Sequence, residues 1–275
     1  MRKWILILIA LPCLAQEKIE TDLLGTEIDW FKLKITAKLE RPVPKLVLDP
    51  EDPEYRKPGT SDSTSFSKIK KSMKETLRLN LSQKIESIYY DSNSKISEFA
   101  LGQRRERLNE YFFQELEVFQ FHRERNTLQA KSSINFLGKQ GLLAYLPTEY
   151  EKEEFPLFSE KVSPEAYSGL VVDAKHLPLK TALFPKILSD RGLEIYSPIY
   201  VKEAYALEMG YIQYRTGGFK DTKIGKKPYY VVALGLSGKN ETDLVLASTD
   251  VLRILAHPET RKNLKQCRVL ILVSD

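Results

Sequence analysis

Three histidines and two cysteines are the chain's whole supply of the side chains that most often ligate metals or pair with nucleophiles. His122, His176 and His257 are far apart in sequence, and none has a second His or Cys at ligand spacing. One stretch brings a carboxylate and an imidazole close together. Asp173-Ala174-Lys175-His176 follows the apolar run Gly169-Leu170-Val171-Val172, which reads as a buried strand. Loops after buried strands often carry active sites, so Asp173 and His176 are the candidate pair for hydrolase-like chemistry or for a small ligand. The competing reading has Asp173 closing the turn after the strand and His176 in solvent.

Other motifs lead elsewhere. Gly235-Leu236-Ser237-Gly238-Lys239-Asn240 has too few residues between its glycines for a phosphate loop, and no Ser or Thr follows the lysine. Glu149, Glu151, Glu153 and Glu154 alternate with Tyr150 and Lys152, the pattern of a solvated segment. No cofactor or metal is therefore expected. Aromatic residues offer interaction chemistry instead. Tyr111, Phe112, Phe113 and Phe119 crowd one segment on more than one face, and Trp30 stands at the start of the first strand. These five are the candidate partner-contacting residues; the alternative is core packing within the chain.

The elements that position these groups follow from periodicity. Phe31, Leu33, Ile35, Ala37 and Leu39 alternate with polar residues, predicting one strand over Ile28–Glu40. Residues 41–65 hold Pro42, Pro44, Pro50, Pro53 and Pro58 and read as a loop. Ile69, Met73, Leu77, Leu81, Ile85 and Ile88 recur at spacings of three and four, predicting a long helix over Ser67–Tyr90. A break at Asp91–Ser94, with Ser94 as N-cap, precedes a second predicted helix from Lys95 to Leu128. Thereafter strands resume: a hairpin of 132–136 with 141–146, then 169–174, 182–188, 193–196, 211–214, 229–236, 244–247 and 269–273. Helices are expected at 201–209, ending at Gly210, and at 248–256, where a charged His257 would suit the helix C-terminus.

This pattern predicts an α+β protein: an N-terminal strand plus long helices, then a mixed β-sheet domain with short helices. The expected divisions are a leader at 1–15, a strand segment at 16–40, the loop at 41–65, a helical region at 66–130 and the sheet domain at 131–275.

Arg2 and Lys3, the apolar run Trp4–Leu11 and small Ala15 before Gln16 describe a secretory signal peptide cut after Ala15. The rival reading makes Cys13 the acylated residue of a lipoprotein, the one route here to membrane contact. After cleavage Cys267 is the only cysteine left, so no intramolecular disulfide forms. Cys267 reads as a small core residue, with an intermolecular bridge as the alternative. The net charge of +5 comes from 42 basic and 37 acidic residues that are interleaved, which gives no nucleic-acid footprint.

Ile28-Asp29-Trp30, the alternating strand after it and the exit Pro42-Val43-Pro44 resemble the opening of secreted proteins related to FlgP-type flagellar collar lipoproteins. In the second half, Tyr167–Ala174, Phe184–Tyr196, Thr242–Asp250 and Cys267–Val273 resemble the same envelope group, with FlgT-like proteins as distant relatives. The resemblance implies an exported, non-enzymatic structural or assembly component of the periplasm or outer envelope, flagellum-associated in some relatives. Its partners would be other envelope proteins or further copies of itself. The group supplies no catalytic residues. This chain departs from it in the enlarged insert at 41–65, in an unusually long second helix and in Lys175-His176.

Overall fold

The computed structural model of the chain describes residues 19–22, 25–43, 62–99, 119–124, 127–158, 165–218 and 223–274. Helices and several sheets both contribute, so the fold class is α+β. The leader, the cleavage site, Cys13 and most of the proline-rich loop lie outside the described residues.

The first half is a five-stranded antiparallel sheet. Its strands are β1 (Ile19–Thr21), β2 (Thr26–Asp29), β3 (Lys34–Pro42), β4 (Phe119–Glu124) and β5 (Thr127–Asn135), in the order β1-β2-β3-β5-β4. Helix α1 (Asp62–Ser87) lies across one face, touching β2, β3 and β5. Met73, Leu77, Leu81 and Ile85 fall every fourth residue on that side of α1 and are buried against Ile28, Ile35, Ala37, Leu128, Ala130 and Ile134. Each such Leu or Ile contributes ~1.5–3 kcal/mol through burial, so the helix is held by its apolar stripe. The opposite sheet face carries Lys38, Glu40, Lys131 and His122 and is solvated.

Three sequence expectations are corrected here. The single strand expected over Ile28–Glu40 is a hairpin, broken at residues 30–33. Asp29 causes the break: its Oδ1 accepts from Phe31 N at 3.1 Å and Lys32 N at 2.8 Å, an Asx turn that competes with the ladder. The second helix expected to Leu128 is absent from its described parts. Ile96–Phe99 is one 3-10 turn, and β4 and β5 form an antiparallel hairpin from Phe119 onward. Third, 132–135 belongs to β5 and pairs with β3, while Leu142–Tyr145 is another 3-10 turn rather than a strand. The division expected at 130/131 therefore falls inside a strand of the first sheet.

The second half holds two four-stranded sheets. One is parallel throughout, in the order β10-β6-β13-β9: β6 (Leu170–Asp173), β9 (Gln213–Arg215), β10 (Tyr229–Val232) and β13 (Val269–Leu272). Its central strands, β6 and β13, are apolar and buried along most of their length, as parallel strands covered on both faces must be. The other is mixed, in the order β11-β12-β7-β8: β7 (Ile187–Ser189), β8 (Glu194–Tyr196), β11 (Gly235–Ser237) and β12 (Asp243–Leu246). A tight turn joins β7 to β8, with Ser189 Oγ accepting from Leu193 N at 3.0 Å and Gly192 at φ 77°.

Helices α2 (Glu203–Met209), α3 (Ser248–Ala256) and α4 (Pro258–Lys265) complete this half. The sequence reading missed α4 and with it the role of His257. That residue caps α4 as an acceptor, its Nδ1 taking Glu259 N–H at 3.1 Å, rather than serving as a cation after α3. Helix α4 ends in a Schellman pair, Arg268 N to Asn263 O and Cys267 N to Leu264 O, with Cys267 at φ 57° where glycine is usual. The cysteine tolerates that conformation while its side chain is buried in the core.

One apolar core runs through both halves, from Ile28 and Trp30 to Val273. The tip of the β2–β3 hairpin makes the joint. Trp30 meets Phe136 and Tyr214 edge to face, with centroids 6.0 and 5.5 Å away. Phe31 lies under the Arg215 guanidinium at 4.1 Å. Tyr214 and Arg215 are consecutive in β9 and point to opposite faces of the parallel sheet, so Trp30 and Phe31 grip that edge strand from both sides. Backbone bonds from Leu183 N to Tyr89 O (2.9 Å) and from Phe184 N to Tyr90 O (2.8 Å) add a second seam.

Candidate functional site

The carboxyl ends of parallel strands are where open α/β sheets usually take ligands, and Asp173 ends β6 there. In register, Val232, Asp173, Leu272 and Arg215 form one row across the four strands. Asp173 Oδ1 accepts from Lys175 N at 3.1 Å. Its Oδ2 accepts a hydrogen bond from the Tyr230 hydroxyl, two positions along edge strand β10, and pairs with Lys175 Nζ at 3.5 Å. Burial would raise the Asp173 carboxyl; the Tyr230 hydroxyl and Lys175 outweigh it and hold it below the ordinary aspartate range. The same bond pushes the Tyr230 phenol up to about 12.

The structure does not bring the expected pair together as an acid–base couple. His176 is exposed on the turn, while the Asp173 oxygens are taken up by Tyr230 and Lys175. A carboxylate so held is a poor candidate for a general base. Its residue types equip it to close the turn and to fasten β10 to β6. Sequence reading missed Tyr230 because its link to Asp173 spans 57 positions and depends on the parallel pairing of their strands.

The candidate interaction residues divide similarly. Trp30 is 2% exposed and belongs to the joint between halves, which removes it from any partner surface in this conformation. Tyr111, Phe112 and Phe113 lie outside the described residues. Phe119 is on edge strand β4 rather than a helix, half-buried, with Lys74 and Arg78 of α1 over its ring at 5.5 and 5.4 Å. Lys70 lies over Phe66 and Phe121 at 4.6 and 5.3 Å, so this margin is aromatic below and basic above.

A different surface is exposed. Tyr230, Val232 and Leu234 are 44%, 52% and 59% exposed and alternate along β10 and its extension. They form an apolar row at the margin of the parallel sheet opposite to the margin held by the hairpin. Alternation at 230, 232 and 234 is a period-two signal present in the sequence, but which face met solvent could not be read before the strand order was known. Among the described residues, no group of three or more His, Cys, Asp or Glu is placed to hold a metal ion. No helix among them is long and apolar enough to cross a membrane.

The second half thus defines a class of α+β module: a short parallel sheet joined through β10 and β11 to a mixed sheet, with paired helices α3 and α4 before the last strand. Over residues 169–275, from the start of β6 onward, the chain is similar to the family described as the second domain of Treponema pallidum Tp0624. The antiparallel sheet and α1 lie outside that match. No curated protein matches the chain.

Proposed function

We propose that the chain is an exported cell-envelope protein with a structural or assembly role, joining other envelope proteins or further copies of itself. The observation that carries this reading is the apolar row Tyr230, Val232 and Leu234 on the margin of the parallel sheet. Sheet margins with exposed apolar side chains are sites of strand addition and association, and proteins usually cover or charge them when they have no partner. A leader at 1–15 would carry the protein across the inner membrane, and the resemblance to FlgP-type and FlgT-like proteins supports a part in an envelope assembly, flagellar or other. Catalysis is no part of this role. The Asp173 carboxylate is fastened to Tyr230 and Lys175, and His176 stands apart in solvent.

The test is a double substitution, Val232→Lys with Leu234→Lys, in the native cell. Wild-type protein extracted in mild detergent should elute in a large complex, and the variant should elute as a smaller species with an unchanged unfolding midpoint. A complex unaffected by the substitutions removes the margin as the docking surface. A wild-type protein that elutes as a monomer removes the assembly role itself.

A further inference from the structure

Among the described residues, β4 is the open edge of the antiparallel sheet, last in the order β1-β2-β3-β5-β4. It pairs with β5 on one side, so alternate residues turn their N–H and C=O groups outward, away from the ladder. Such an edge accepts a further strand unless something covers it. Gln120, His122, Arg123 and Glu124 are exposed along it.

Helix α1 runs alongside this edge in the opposite direction. Arg123 of β4 lies over the Phe66 ring at 5.8 Å, Lys70 over Phe121 at 5.3 Å, and Lys74 and Arg78 over Phe119 at 5.5 and 5.4 Å. Lys70, Lys74 and Arg78 are four positions apart and form one row along the helix, with ~6 Å of rise between neighbours. Lys70 is half-buried, and Lys74 and Arg78 are exposed. The rings beneath them fix where these cations stand. Lys70, Lys74 and Arg123 have no acidic partner among the described residues. Glu75, the acid between Lys70 and Arg78 in sequence, falls on another side of the helix. An open strand edge and a row of cations without acids thus share one margin.

From this arrangement we infer that the β4 margin docks an extended acidic segment of a partner protein, added to the sheet as a further strand. The segment's backbone takes the outward N–H and C=O groups of β4, the strand-addition mode of peptide recognition. Side chains on one face of a strand stand ~6.7 Å apart, close to the ~6 Å of the helix row. Carboxylates at alternate positions of the segment therefore meet Lys70, Lys74 and Arg78 in turn. The side chains between them fall on the solvated face beside Gln120 and His122. An anionic lipid surface would meet the cations but leave the directional groups of the strand unused, so the edge favours a peptide. This margin and the β10 margin belong to different sheets, and the failure of either assignment leaves the other untouched.

The experiment uses the full chain and fluorescein-labelled nine-residue peptides, read by polarisation. The first peptide carries glutamate at its third, fifth and seventh positions and threonine elsewhere. The second carries lysine at the same three positions. The third repeats the first with N-methyl groups on its central amides, which keeps the charge and removes the donors. The glutamate peptide should bind saturably, and the other two about tenfold or more weaker, the factor expected for losing two or more ordinary hydrogen bonds or their charged equivalents. Lys74→Glu should weaken the glutamate peptide by about fivefold and tighten the lysine peptide by a similar factor; Lys74→Gln carries the first half of the comparison if the charge reversal fails to fold. Equal binding of the methylated peptide would overturn strand addition. Equal binding of the lysine and glutamate peptides, or an unmoved affinity in the folded Lys74 variants, would overturn the acidic assignment. No saturable response to the glutamate peptide, or binding to phosphatidylglycerol vesicles alone, would overturn the docking site.

Discussion

Replacing Trp30 by alanine should unfold both halves of the protein more easily, and together. The indole is 2% exposed, and an aromatic ring of this kind buries ~150–250 Å². At ~25 cal/mol per Å² that burial stabilises the fold by about 4–6 kcal/mol, part of which an alanine retains. The two edge-to-face contacts, with Phe136 and Tyr214, add ~0.5–1.5 kcal/mol each. Against this, deleting the indole removes a buried N–H that has no acceptor among the described residues, which recovers ~1–3 kcal/mol. The net expectation is a loss of ~3–5 kcal/mol, in the range measured for large aromatic truncations. Trp30→Phe keeps a ring and removes the same N–H, so it should cost less than ~1.5 kcal/mol. Urea unfolding followed by far-ultraviolet and near-ultraviolet circular dichroism measures both values. Wild type and variants should give a single coincident transition because one core spans both halves. An alanine cost under ~1 kcal/mol, a phenylalanine cost equal to it, or two separated transitions would refute Trp30 as the joint.

Three further outcomes follow from named contacts. The Asp173 carboxyl is held below its ordinary value in the fold, so its stabilising contribution is present above the unfolded value near pH ~4 and is lost as pH falls through the folded one; in Tyr230→Phe its titration by carbon NMR should move upward, and an unmoved midpoint would contradict the Tyr230 bond. A Cβ at Gly169, just before β6, would lie 2.7 Å from Arg268 O and 2.8 Å from Ile224 O, both backbone atoms, so Gly169→Ala should destabilise by ~1–3 kcal/mol in the same urea assay. Burial pushes the Cys267 thiol up to about 12, so maleimide should label it only on unfolding; labelling at native rates would place it outside the core.

Periodicity made some of this fold legible. The four-residue recurrence of Met73, Leu77, Leu81 and Ile85 located α1, and the apolar runs at 170–173 and 269–272 located the two central strands of the parallel sheet. The expected helix from 248 to 256 matches α3. The failures have physical causes. Strand β3 does alternate, but the same alternation was extended back across Asp29, whose carboxylate takes two backbone amides and turns the chain. Phe119 and Phe121, then Leu128, Ala130, Ser132 and Ile134, are spaced by two, and that period marked β4 and β5. The helix predicted from Lys95 was instead carried across them to Leu128. His257 reads as a residue after a helix until Pro258 is recognised as the first residue of the next one. The site was less legible than the fold. Asp173 and His176 are three positions apart in sequence but separate in contacts, whereas Tyr230 reaches Asp173 only through the parallel pairing of β10 with β6.

The central claim, an exported component of an envelope assembly, is tested most directly by fractionating native cells, sizing the protein in mild detergent and sequencing its N-terminus by mass spectrometry. The account predicts an envelope fraction, a mature start at Gln16 and elution within a large complex. A protein that retains Met1 and elutes alone from the cytoplasmic fraction would contradict it.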